Sequence, residues 1–174
     1  LLDTHDIQFK RVEGARSAGV HGFAWIAEKD EELKLLRRAG VLIAIREAER
    51  AELKKLLPKS EVICAAHAPP VKRLPSPADS KSVLFVGSNY DPNIRGAVKF
   101  ISTAWREIRR RVPDATFDIC GNVCEGLSSH AGEPGVRLHG RVEDLEKFYA
   151  KAAVVVNVSL FGTGLPIKTA EAIA

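Results

Sequence analysis

Two rhythms of apolar and polar positions alternate along this chain. Short β-branched or apolar runs predict strands at Val41 to Ile45, Glu61 to Ala66, Val83 to Val86, Thr116 to Cys120, Val136 to His139 and Val154 to Val158. Between them, mixed-charge stretches with a helical period predict helices over Glu28 to Ala39, Glu47 to Leu57, Ile94 to Val112, Val142 to Ala152 and Lys168 to Ala174. In the longest of these, Ala97, Ile101, Ala104, Trp105 and Ile108 fall on one face. Strand and helix in strict alternation predict an α/β fold with parallel sheets.

The alternation breaks once. His67 to Lys81 carries Pro69, Pro70, Pro75 and Pro77 among Ser76, Asp79 and Ser80, a composition that favours extended chain. This predicts a domain over 1–68, a linker over 69–81 and a second domain over 82–174. The sequence contains no methionine, opens inside an apolar run and stops inside a predicted helix, so it reads as a fragment whose first domain is incomplete.

Composition narrows the class. With 45% hydrophobic and 28% charged residues in 174, the chain has the material for a core. Its 26 basic and 22 acidic residues are interleaved on helix faces, which gives no footprint for nucleic acid. Cys64, Cys120 and Cys124 form neither a disulfide framework nor a zinc motif, and two of them end runs that read as buried strands. The longest uncharged stretch, Ala152 to Ile167, is broken by polar residues, glycine and proline and is not a membrane span. No targeting segment opens the chain, so a cytoplasmic place is expected.

Candidate chemistry gathers at strand ends. Three predicted strands end at Gly87, Gly121 and Gly140, and a fourth is followed by a loop with Gly162 and Gly164. Ligands of open parallel sheets lie beyond the carboxyl ends of the strands, where a missing Cβ lets backbone approach them; glycines there also simply make tight turns. In 157–171 a strand, a glycine loop and a helix start follow in order, an arrangement that suits phosphate oxygens. Lys168 adds a cation where a helix dipole alone would disfavour one, and Glu171 lies three residues on, placed to accept bonds from sugar hydroxyls.

The order F-V-G at 85–87, C-G at 120–121, G-V-R-L-H-G-R-V-E-D-L at 135–145 and N-V-S-L-F-G-T-G-L-P-I-K-T-A-E-A-I-A at 157–174 resembles the donor-binding domain of family 4 (group 1) glycosyltransferases. The resemblance implies a retaining enzyme of GT-B architecture, with two Rossmann-like parallel-sheet domains, of which 1–68 is the later part of the acceptor side. It implies a nucleotide-diphosphate sugar as donor substrate, no separate cofactor and no metal, and a glycan, lipid or small-molecule acceptor, compatible with work at the inner face of a membrane.

By the same resemblance, Glu171 matches the carboxylate that holds the ribose, and Thr163 stands where the family has a second glutamate on the donor sugar. Gly87, Gly121, Gly164, Leu165 and Lys168 fall in the diphosphate-binding segments, and Lys168 is placed to compensate for Thr163. Arg141 and Val142 fall where backbone meets the base. Arg95, beside Gly96, is the near match to the family's basic residue on the diphosphate, and it equally reads as a solvated first-turn arginine. His5, with Asp6 beside it, matches an acceptor-domain histidine and would orient or deprotonate a hydroxyl. The role of His139 stays open, and His67 reads as a residue packed in the linker. Two other readings stand beside this one: a non-catalytic α/β module that binds a nucleotide or partner, favoured by the departures at Thr163 and after Gly87, and an epimerase on the same architecture.

Overall fold

The computed structural model of the protein describes residues 1–20, 28–74, 77–160 and 167–174. The chain divides into two compact units, one built on Leu1–Ala68 and the other on Pro69–Leu160 with Lys168–Ala174. Each carries its own parallel sheet, so the fold is α/β in both.

In the first unit β1 (Leu2–Asp3), β2 (Val41–Ala44) and β3 (Glu61–Cys64) lie side by side in sequence order, all parallel. Three helices cover them: α1 (Gln8–Ser17), α2 (Lys29–Leu36) and α3 (Glu47–Leu56). Their Phe9, Leu33, Leu36 and Leu53 close on Leu42, Ala44 and Val62. The edge strand β3 buries only Val62, so Ile63 and Cys64 are exposed. Cys64 is thus no buried strand end, and His67 is exposed rather than packed.

Helix α1 escapes the sequence reading because no side chain of its own caps it. Instead Glu32 of α2, itself buried, accepts the N–H groups of Gln8 at 2.9 Å and Phe9 at 2.8 Å. These are two of the donors a helix start leaves unsatisfied, and a carboxylate there also faces the positive end of the helix dipole.

The second unit holds a sheet in the order β6-β5-β4-β7, all parallel, made of β4 (Ser82–Val86), β5 (Thr116–Cys120), β6 (Val136–Gly140) and β7 (Val154–Val155). Central strands of parallel sheets are covered on both faces, and β4 and β5 are buried along most of their length. One face packs Phe85, Phe117 and Ile119 against Ala97, Ile101 and Trp105 of a continuous helical stretch. That stretch runs α4 (Asp91–Phe100), a π-helical turn over Ile101–Trp105 and α5 (Arg106–Arg111). Along this stretch Ala97, Ile101 and Trp105 are buried, whereas Ala104, expected on the same face, is exposed. Beyond β5 the chain forms a 3₁₀ segment, Asn122–His130, then after β6 a short α6 (Glu146–Lys151), and at the end α7 (Ile167–Ile173).

The expected linker is not a free tether. Up to Lys81 its described residues have neither helix nor strand, yet Ser80 Oγ donates to Lys151 O and Lys81 pairs with Asp114, both at 2.5 Å. The Lys72 N–H donates to Ala174 O at 2.7 Å, tying the segment to the end of α7.

Candidate functional site

The carboxyl ends of the second sheet are laced by backbone at the predicted glycines. Gly87 N–H donates to Cys120 O at 2.9 Å and Gly121 N–H to Gly140 O at 2.6 Å, while Gly87 O accepts from Val123 N–H at 3.2 Å. A Cβ on Gly121 would stand 2.1 Å from Gly87 O, and its φ of +101° is itself glycine territory. Close backbone approach therefore accounts for Gly121, the side chains of Val123 and Phe85 crowd the Cβ position of Gly87, and Gly140 has open space but a φ of +66°.

Gly96 is governed the same way. A Cβ there would lie 1.8 Å from Val158 O, so α4 rests directly on the backbone that follows β7. Asn93, buried at the start of α4, secures this contact: its Nδ2 donates to Ser88 O at 3.1 Å and its Oδ1 accepts from Ser159 Oγ at 2.5 Å. One side chain thus joins the loop after β4 to the segment after β7. Sequence reasoning passed over Asn93, although Asp91-Pro92 immediately before it marks a helix start.

Arg95 is exposed, and its Nε donates to Asp91 Oδ2 at 2.7 Å in an i,i+4 pair of the weak, solvated kind. Arg141 is exposed and Val142 half-buried directly after Gly140. Thr163, Gly164 and Leu165 lie outside the described residues.

Lys168 and Glu171 share α7, with Lys168 half-buried and Glu171 exposed. Burial pushes the Lys168 ammonium below its ordinary value, and the Glu171 carboxylate pulls it partly back. Among the described residues no carboxylate comes within ion-pair distance of Lys168. Asn157 Nδ2 donates to Thr169 Oγ1 at 3.3 Å, which fixes α7 beside the end of β7. Tyr149 of α6, another residue the sequence did not flag, buries a hydroxyl that has no hydrogen-bond partner among the described residues; burial raises its pKa, and Glu171 and Cys120 add to the rise.

His139 has a structural partner 21 residues away. Its Nε2 lies 2.7 Å from Asp118 Oδ1, and its ring meets Phe148 edge-on at 4.7 Å. Asp118 Oδ2 also accepts from Ser82 Oγ and Thr116 Oγ1, each at 2.8 Å. Burial alone would raise the Asp118 carboxyl, but the bonds from His139, Ser82 and Thr116 outweigh it and hold the group below its ordinary range.

In the first unit His5 sits in the loop after β1 with φ at +54°, a conformation few non-glycine residues adopt. Its side chain is exposed, and its Nδ1 lies 3.3 Å from Asp3 Oδ1 rather than against Asp6. Asp6 turns away to Gln8 and to Arg11, the latter at 3.8 Å. The structure therefore does not join His5 and Asp6 into one pair.

Among the described residues no three His, Cys, Asp or Glu side chains are grouped to hold a metal ion, and no helix is long and apolar enough to cross a membrane. No curated protein matches the sequence. Among solved structures, the chain is similar to the pneumococcal O-GlcNAc transferase GtfA in complex with UDP and GlcNAc, at 18% identity and a TM-score of 0.55, over 76% of this chain and 29% of that one. It is also similar to TarM of S. aureus, at 18% identity and a TM-score of 0.65, over 87% of this chain and 32% of that one. The chain spans about a third of the length of these proteins, and at such identity the likeness establishes the shared parallel α/β fold of GT-B glycosyltransferases. Residues 80–174, more than half of the chain, match the family model described as glycosyl transferases group 1, and the chain belongs to that family.

Proposed function

We propose that the protein takes part in moving a sugar from a nucleotide-diphosphate donor to a hydroxyl-bearing acceptor, with retention of configuration. The donor is held by the second unit, the donor-binding domain in this reading, and the acceptor role falls to residues 1–68. GtfA, whose structure contains UDP and GlcNAc, lends the donor class its support.

The observation that carries the reading is Lys168. A half-buried lysine whose charge is opposed by burial is costly unless an anion meets it, and no carboxylate among the described residues does so directly. A diphosphate leaving group is such an anion, and its charge grows in the transition state, where a fixed, partly desolvated cation stabilises it most. Glu171, one turn on, then accepts from the ribose hydroxyls. In this reading Lys168 and the surrounding backbone stabilise the leaving group without a resident metal. His5, held at positive φ after β1, is the group offered to the acceptor; Asp3 sets its ring.

The exposed Asp91–Arg95 pair and threonine at 163 favour the second reading, a module that binds nucleotide and transfers nothing. Screening nucleoside diphosphates for thermal stabilisation of the full-length protein, followed by donor turnover, separates the two. Stabilisation with turnover supports the transferase. Stabilisation with no turnover for any acceptor supports the module, and no stabilisation removes both. The chain by itself is expected to bind weakly and to transfer no sugar, since transfer needs acceptor and donor aligned.

A further inference from the structure

The link made by Asn93 reaches further than the two segments it touches. On one side its Nδ2 donates to Ser88 O at 3.1 Å and to Ser88 Oγ at 3.2 Å; on the other its Oδ1 takes the Ser159 hydroxyl at 2.5 Å. From Ser159 the bonds continue. Ser159 N–H donates to Asn157 Oδ1 at 3.4 Å, and Asn157 Nδ2 donates to Thr169 Oγ1 at 3.3 Å, on α7 directly after Lys168. Asn93 and Ser159 are 66 residues apart, so the bonds join separate segments and not neighbours in one turn. Backbone packing holds the same junction: Leu160 N–H donates to Pro92 O at 3.4 Å, and at Gly96 a Cβ has no room beside Val158 O.

The links differ in strength. Asn93 is only 3% exposed, so losing its partners would leave a buried amide unsatisfied. The bonds at Asn157 are longer and exposed, and they yield first. A cation stabilises a developing charge only where supporting contacts hold it within about 0.5 Å of its working place. We propose that Asn93 is a positioning residue: through Ser159, Asn157 and Thr169 it fixes α7, and with it Lys168, relative to the loop after β4. Its part in donor binding rests on the function proposed above; the link from Asn93 to α7 does not.

Hydrogen exchange in the full-length protein tests the link without any ligand. Asn93→Ala should speed exchange of the α7 amides at 171–174 about fivefold. Ser159→Ala, which removes only an exposed hydroxyl, and Thr169→Val, which keeps the side-chain shape, carry the same expectation if Asn93→Ala fails to fold. Calorimetry with uridine, adenosine and guanosine diphosphates then reads the consequence. Ser159→Ala should weaken whichever diphosphate the parent binds about fivefold, and that loss should vanish in a Lys168→Ala background, because both changes act through one ammonium. A merely structural role would give additive losses. Unchanged α7 exchange in the folded variants, additive losses or unchanged affinity overturns the proposal. A parent that binds no diphosphate, beside variants with faster α7 exchange, would count against the proposed function and leave the link standing.

Discussion

Asp118 in the second unit and Glu49 in the first are equally buried, each 3% exposed, and their surroundings are opposite. Asp118 collects bonds from His139, Ser82 and Thr116, which hold its carboxyl low against the pull of burial. Glu49 has no side-chain hydrogen bond among the described residues, and burial, aided by Asp6, lifts its carboxyl although Arg46 and the backbone N–H groups of Ile7 and Ile45 pull it down. Glu32 shows that the first unit is able to satisfy a buried carboxylate, for it meets two backbone N–H groups. The contrast is one of compensation: a buried charge that strong hydrogen bonds satisfy holds the fold, and one met only by looser contacts weakens it.

The largest effect should come from Asp118→Ala. It leaves His139, Ser82 and Thr116 without their shared acceptor and should cost about 3 kcal/mol, read by denaturant melting of the second unit. A cost below that of an exposed substitution would break the comparison. Glu32→Ala should follow at about 2 kcal/mol, through two lost bonds at the start of α1, read as lowered protection of the Gln8 and Phe9 amides in hydrogen exchange. Glu49→Gln should have the opposite sign, raising stability at neutral pH by about 1 kcal/mol.

The pH dependence sharpens the same contrast. Asp118 is depressed in the folded state, so its contribution is full above the ordinary aspartate pKa and is lost as pH falls through its folded value. Glu49 is raised, so the folded state takes up its proton first, and stability is gained as pH falls from that raised value toward the ordinary glutamate pKa. Mild acidification should accordingly stabilise the first unit before stronger acid destabilises the second. Amide exchange resolved by unit at several pH values would show the two trends, and parallel slopes would contradict them.

How much of this was legible in the sequence depends on how local the cause is. β4 and β5 were readable because a central parallel strand needs apolar residues on both faces, and Gly121 because its own φ and the approach of Gly87 demand it. Helix α1 was not, because its cap is a carboxylate more than twenty residues away. The Asp118–His139 pair joins adjacent strands and leaves no local pattern, and Ala104 is exposed at the margin of a face on which helical periodicity had placed it. At the candidate site, Lys168 and Glu171 stood out as a helix-spaced pair, whereas Asn93 and Tyr149 depend on partners or burial that only the folded chain supplies.

The central claim is that α7 presents Lys168 and Glu171 to a nucleoside diphosphate. Calorimetric titration of uridine, adenosine and guanosine diphosphates into the full-length protein, its Lys168→Ala and its Glu171→Ala forms tests it most directly. Saturable binding of at least one diphosphate, weakened by about 1–3 kcal/mol in each variant, is the predicted result. Binding of unchanged affinity in both folded variants, or no binding of any diphosphate to the parent protein, would contradict it.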